Sequence, residues 1–415
     1  MIHELGNQHK RGNAKMNKAK VSIVRAYDYD YAEIHAAMEK GIELLGGLAR
    51  IVPVGSKVFV KINHISPSSP AERGLVTHPV FVEAILDLLK RVSADITVGD
   101  DIEAAPADGF KISGFHQMCQ RAGVRLTNLR EAGFVETACN GHFLEKVHLS
   151  KIALDADVIV NLPKLKTHSL CVLTCGVKNM YGAIPLGLRR KLHADYIRSD
   201  DFSQAVTDVF SAVRPQLTIV DGIIAMEGEG PSAGSLRKLG VILASQDTVA
   251  VDAVATKIIG LNPLDIYTTR YSDERGLGIG NLENIEVVGE RIDSVTVPDF
   301  KPPSSFVDTL SRRVPRFLPR FILRQLSIKP SVIEHQCTGC SECEKICPVG
   351  AISVSGKTAR INYGICIQCM CCHEVCRFNA IELKRSAAGS TLHFLTNILP
   401  NILRKLMAIA ARGYR

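Results

Sequence analysis

The sequence predicts an α/β domain with a mostly parallel sheet in Rossmann-like layering, followed by a small α+β ferredoxin-like domain. Three observations predict this. Apolar runs of strand length alternate with segments of helical spacing across residues 21–297. Polar residues collect where several of those strands end. Most of the cysteines crowd into one late stretch, and there they repeat in two copies.

Taken in order, residues 1–20 are basic and lack an apolar stretch, so they predict a disordered lead-in and no secretory signal, with Met16 as an alternative start. Residues 21–26 read as a strand. Residues 31–50 read as a helix, with Ile34, Met38, Ile42 and Leu45 on one face. Residues 57–63 form the next strand. Thr77-His78-Pro79 signals a helix start, with Thr77 or His78 at the cap and proline in the first turn, and the helix runs to about Arg91. A strand over 94–99 ends in Asp100-Asp101, a weaker helix spans 109–122, and another strand covers 124–129. Residues 134–149 predict a hairpin turned by Asn140-Gly141, a favoured two-residue pair. The strand at 156–162 runs into Pro163-Lys164-Leu165-Lys166-Thr167-His168. A strand at 217–220 ends at Asp221-Gly222. A strand at 240–244, a helix at 249–259 and a strand at 285–288 close the domain.

Residues 298–330 form a basic, proline-bearing connector, 331–385 the ferredoxin-like domain, and 386–415 an amphipathic basic tail. With 46% hydrophobic and 22% charged residues the chain has the means for a large core. No apolar run approaches the length of about 18 that crosses a membrane. The formal charge of +8 is concentrated in the connector, at Arg312, Arg313, Arg316, Arg320, Arg324 and Lys329. Without a nucleic-acid motif or clustered aromatics, this charge predicts docking on a partner or peripheral contact with a membrane surface, and no nucleic acid. The tail carries Leu392, Leu395, Leu399, Leu403 and Leu406 with only positive charges, which points the same way.

The late stretch reads Cys337-x2-Cys340-x2-Cys343-x3-Cys347-Pro348, then Cys366-x2-Cys369-x2-Cys372-x3-Cys376. In the bacterial ferredoxin pattern the fourth cysteine of each run ligates the other run's cluster. Cys337, Cys340, Cys343 and Cys376 are therefore assigned to one 4Fe-4S cluster, and Cys366, Cys369, Cys372 and Cys347 to a second. A cubane presents each iron to one thiolate, so three close cysteines wrap one face and a distant one completes it. The repeat extends beyond the ligands: Cys347-Pro-Val-Gly-Ala-Ile matches Cys376-Arg-Phe-Asn-Ala-Ile, with Arg377 in place of the proline. Structural zinc also uses paired C-x2-C, but it does not call for two triple-cysteine runs. Cys371 is left as a packed thiol. Cys119, Cys139, Cys171 and Cys175 are scattered, which argues for a reducing, cytoplasmic setting over disulfides.

In the large domain Lys61, Asn63, Asp100, Lys164, Lys166 and Asp221 stand at predicted strand ends, the edge where open α/β sheets bind ligands. Lys164, Lys166, His168, Lys178 and Asn179 supply cations and donors for a small anion such as a carboxylate or phosphate. Asp221, Glu227 and Asp252 are candidates for proton transfer or a hard cation. The bland alternative is solvated charge. There is neither a GxGxxG nor a P-loop.

Residues 21 to about 290 resemble the family known as domain of unknown function 362. The resemblance rests on Lys57-Val-Phe-Val-Lys-Ile-Asn63, Thr77-His78-Pro79, Lys164-Leu-Lys-Thr-His168 and Gly176-Val-Lys178-Asn179-Met-Tyr-Gly182. It continues through Asp221-Gly222, Glu227-Gly-Glu-Gly230-Pro231 and Val251-Asp252-Ala253. Ile62 departs from it, since the family pattern has proline before the asparagine. The resemblance implies a domain and its polar positions and no particular reaction. Two functions fit the whole: an iron–sulfur oxidoreductase exchanging electrons with a bound anionic substrate, or an electron carrier or assembly factor docking a redox partner.

Overall fold

The structure, a computed structural model, describes residues 18–64, 69–102, 109–139, 141–196, 198–304, 328–347, 349–366, 371–376, 378 and 380–385. The connector from 305 to 327, the tail, most of the lead-in, Asn140, Cys369 and Arg377 lie outside the described residues, as does the Cys371 side chain.

Among the described residues ten strands make one sheet. They are β1 (Ala19–Arg25), β2 (Val58–Ile62), β3 (Ile96–Asp100), β4 (Arg125–Asn128), β7 (Val158–Leu162), β8 (Lys164–His168), β9 (Val172–Thr174), β10 (Leu217–Glu227), β11 (Ser235–Ser245) and β12 (Ile285–Gly289). The hairpin β5 (Phe134–Ala138) and β6 (Lys146–Ser150) stands apart. The order is β12-β1-β11-β10-β7-β2-β3-β4, with β8 on β10 and β9 on β8. The pairs β10-β7, β7-β2, β2-β3, β3-β4, β8-β10 and β1-β12 are parallel; β11 and β9 run against their neighbours.

Helices cover both faces, so central strands are apolar on both sides. Val58, Val60 and Ile62 pack under helices Tyr31–Leu44 and Pro79–Leu89. Phe59 and Ile159 point the other way, into the core made with helix Ser199–Ala212. The two-residue period of a strand then puts Lys61 and Asn161 on that second face, paired across β2 and β7, with Asn63 just beyond the end of β2. His78 caps helix Pro79–Leu89, accepting from the Val80 N–H, with Pro79 at its first position.

Several sequence expectations are corrected. The predicted helix over 31–50 stops at Leu44, because Gly46 and Gly47 take positive φ, and a single further turn spans Leu48–Ile51. The helix over 109–122 is two pieces, Gly109–Ile112 and Phe115–Ala122, split at Gly114. The hairpin forms, but its ends pair Ala138 with Lys146, so seven residues, not two, make the turn. Gly141 instead allows close approach to Asp208, whose carboxylate accepts N–H bonds from His142, Phe143 and Leu144 at 2.9–3.1 Å. The strand expected to end at Asp221-Gly222 continues to Glu227 with an irregularity between Gly222 and Ile224. Gly222 serves close packing, since a Cβ there would stand 2.9 Å from the Val241 carbonyl oxygen.

The small C-terminal unit pairs β13 (Ile328–Val332) with β16 (Ile381–Arg385), and β14 (Ile352–Ser355) with β15 (Thr358–Ile361), both antiparallel. Two matching short helices, Glu342–Ile346 and Cys371–Val375, follow the duplicated sequence. No helix among the described residues is long and apolar enough to cross a membrane.

Candidate functional site

Lys164, Lys166 and His168 alternate along β8 and therefore share a face, and all three are buried. Solvated charge does not describe them. Lys166 Nζ donates to the Leu75 carbonyl at 2.5 Å. His168 Nδ1 accepts from the Leu170 and Cys171 N–H groups at 3.1 Å each, which puts the proton of the neutral ring on Nε2. Burial, then Lys178, hold that imidazole well below the ordinary histidine range, so it is neutral.

A cavity of about 130 Å³ lies in front of this strand. Lys166, His168, Lys178 and Asn179 line it, together with Asn63, His64, Thr174, Arg190 and His193. Lys178 Nζ sits over the Tyr181 and Phe202 rings at 5.3 and 5.8 Å, and among the described residues no carboxylate pairs with it. His193 donates from Nδ1 to the Arg189 carbonyl at 2.8 Å, and burial, with Lys178, pushes its pKa down to about 3. The acids at the wall are already matched. Asp100 binds Lys61 at 2.8 Å, and Asp101 takes Arg130 at 2.9 Å and Arg189 at 3.1 Å. Gly182 makes room for the first pair; a Cβ there would stand 2.7 Å from Lys61 Nζ. The net result is a cationic cavity rich in donors, suited to an anion.

Three of the seven predicted residues lie elsewhere. Lys164 and Asp221 pair with each other at 3.0 Å, both dry, and Tyr29 donates to Asp221 at 2.8 Å while stacked on His78. Their charges neutralise one another locally. Glu227 accepts the Lys301 N–H at 3.1 Å and so ties down the start of the connector. Asp252 is buried, not exposed on its helix, and accepts from the Gly176 and Val177 N–H groups, orienting the helix that bears Lys178 and Asn179. Arg190 and His193, on helix Leu186–Asp195, were not legible as site residues, because no strand end or motif marks them.

The cysteine-rich unit meets the same cavity. Val375, one residue before Cys376, lines it beside Pro231. The buried His373 donates from Nδ1 to the Ile381 carbonyl at 2.7 Å, and Glu229 is within electrostatic reach of its ring. The Cys343 thiol is pushed up to about 11 by burial and by Cys340, Cys376 and Cys337 around it, so the four sulfurs assigned to the first cluster are neighbours. Backbone N–H groups of Ala359, Ala351 and Ala380 point at the sulfurs of Cys337, Cys347 and Cys376 at 3.1–3.4 Å, donors that suit thiolates holding a cluster. Cys366 and Cys372 are buried. Four cubane ligands ring a cluster and do not converge on one point; among the described residues no three His, Cys, Asp or Glu side chains converge on a single metal ion.

Residues 58–257 match the domain of unknown function DUF362, and residues 330–353 match a 4Fe-4S binding domain. The thylakoid-associated protein sll1697 of Synechocystis sp. is 32% identical over 259 residues, 62% of this chain and 79% of that protein. The chain belongs to the DUF362 family. This DUF362 chain is fused to an iron–sulfur module and is an iron–sulfur electron-transfer protein. Its module is similar to two further proteins. One is a component of the ion-translocating oxidoreductase complex of Methanosarcina acetivorans, 44% identical over 54 residues, 13% of this chain and 20% of that protein. The other is the hydrogenase-4 component A of Escherichia coli, 40% identical over 73 residues, 17% of this chain and 33% of that protein. This DUF362 chain thus spans a third or less of either, and those matches concern the module alone.

Proposed function

We propose that this protein is an iron–sulfur oxidoreductase in which two 4Fe-4S clusters, held by Cys337, Cys340, Cys343 and Cys376 and by Cys366, Cys369, Cys372 and Cys347, exchange electrons with a small anion in the cavity. The observation that carries it is Val375: the segment bearing a cluster ligand lines the cavity that Lys166, His168, Lys178 and Asn179 also line. When bound, the clusters supply electrons one at a time. The residues do the rest. The Lys178 ammonium, without a carboxylate partner among the described residues, attracts the anion. His168, held neutral by burial and by Lys178, lines the cavity without adding charge. Helix Leu186–Asp195 and Pro231 form part of the cavity wall.

The test is anaerobic. Dithionite-reduced protein is mixed with a panel of carboxylates and phosphate esters that carry a reducible carbonyl or conjugated double bond as the electron acceptor, and reoxidation is followed by visible absorbance. Lys178→Ala should retain iron and lose anion-dependent reoxidation. A full panel without reoxidation, with rapid oxidation by a redox protein instead, overturns the enzyme reading in favour of the carrier. That second reading draws on the likeness of the module to proteins named as parts of an oxidoreductase complex and of a hydrogenase.

We further propose that the basic connector and tail bring the protein to an anionic membrane surface. Their charge supports this, as does the relative named as thylakoid-associated.

A further inference from the structure

Three buried amides form a one-way chain from the sheet to the cavity. Asn161 Nδ2 donates to the Gly176 carbonyl at 3.0 Å, so Asn161 Oδ1 is left to accept, and it accepts from Asn179 Nδ2 at 2.7 Å. Asn179 Nδ2 also faces the Lys61 and Ile62 carbonyls at 3.4 Å, which independently sets its orientation. Asn179 Oδ1 must then accept, and it takes Asn63 Nδ2 at 3.0 Å. The direction of every link follows from carbonyls that have no proton to give. Asn63 therefore cannot turn over, and its Oδ1 is an acceptor without a partner among the described residues. The backbone around it is equally constrained. Asn63 N–H donates to Thr77 Oγ1 at 2.9 Å, and Thr77 N–H donates to the Asn63 carbonyl at 3.0 Å. Asn63 is 9% exposed and lines the cavity, as does Thr174, whose hydroxyl is also buried and unpartnered among the described residues.

We infer that Asn63 is a specificity residue: the cavity selects a small oxyanion that also carries a hydrogen-bond donor, a hydroxyl or N–H, placed to meet Asn63 Oδ1 while Lys178 holds the negative group. This rests on the anion-site reading above. Asn63 Oδ1 is already buried and unmatched among the described residues, so a ligand that brings a donor satisfies it, while a ligand with only acceptors leaves it unmatched and forgoes that bond.

The full-length, cluster-loaded protein is titrated calorimetrically with two matched pairs, glycolate against acetate and 2-hydroxyethyl phosphate against ethyl phosphate. The members of each pair differ by one hydroxyl, and the pair that binds identifies the oxyanion. The hydroxyl-bearing member should bind about tenfold or more tightly. Asn63→Ala should bring both members to equal affinity, with Asn63→Ser as the second variant and iron content and circular dichroism as checks on folding. Lys178→Ala should weaken both members alike. Equal affinities in the unaltered protein overturn the inference and leave the anion site standing. Binding by none of the four, or binding that Lys178→Ala leaves untouched, overturns the anion site and the inference with it. The unaltered protein decides the matter even where a variant fails to fold.

Discussion

Lys164 and Asp221 are both dry, and the pair is held by Tyr29 and the His78 N–H as well as by its own contact. Removing one partner of such a pair strands the other charge. Lys164→Met is expected to cost about 3–5 kcal/mol, measured by urea unfolding, with part of the loss recovered in Lys164→Met/Asp221→Leu. His193 gives a pH dependence. Its folded pKa of about 3 lies below the unfolded value near 6.5, so the unfolded chain binds the extra proton between them. Stability from this group is intact above about pH 6.5 and falls as pH drops toward 3; His168, also depressed, adds in the same direction. Thermal melts by circular dichroism from pH 7.5 to 5 should show a falling Tm, with a shallower slope in His193→Gln. An unchanged slope would remove His193 as the cause.

At the level of elements, the turn after β10 governs how β8 is covered. Gly230 donates its N–H to Thr167 Oγ1 at 3.1 Å, and a Cβ at Gly230 would stand 2.2 Å from the Thr167 carbonyl oxygen. No side-chain rotation relieves a clash with backbone. Gly230→Ala is expected to lift the turn off β8, costing about 1–3 kcal/mol and weakening anion binding, since Pro231 walls the cavity. Unfolding curves and the calorimetric titration check both. Gly228→Ala meets nothing within 4 Å but carries φ of 76°, so it should cost stability through backbone strain and leave the β8 contact in place.

Across the whole molecule, electrons and anion meet only if the module and the α/β domain act as one unit. Two clusters require about eight irons and eight sulfides per chain, read by anaerobic metal and sulfide analysis. Cys340→Ser should lower the iron content and Cys371→Ser should not. Stoichiometric zinc without sulfide would sink the assignment. Liposome sedimentation of the full chain against one cut after Lys384 tests the tail; equal binding by both would remove the tail as the membrane contact.

The alternation of strands and helices and the parallel character of the sheet were legible in the chain, because both are written in short-range periodicity, and so was the iron–sulfur module, because its cysteine spacing is exact; β8 and β9 were not read as strands. The chemical character of the segment from Lys164 to Asn179 was legible too. Which charges share a cavity was not. Lys164 and Lys166 are two residues apart on one face, yet one is cancelled by Asp221 and the other lines the cavity, because β10 runs past Asp221 beside β8. A strand's ending depends on its neighbour, as Gly222 against Val241 shows, and a single sequence does not name that neighbour. Arg190, His193 and the bare oxygen of Asn63 came into view only through tertiary packing, since a donor's partner across the sheet and the matching of buried charge are long-range facts.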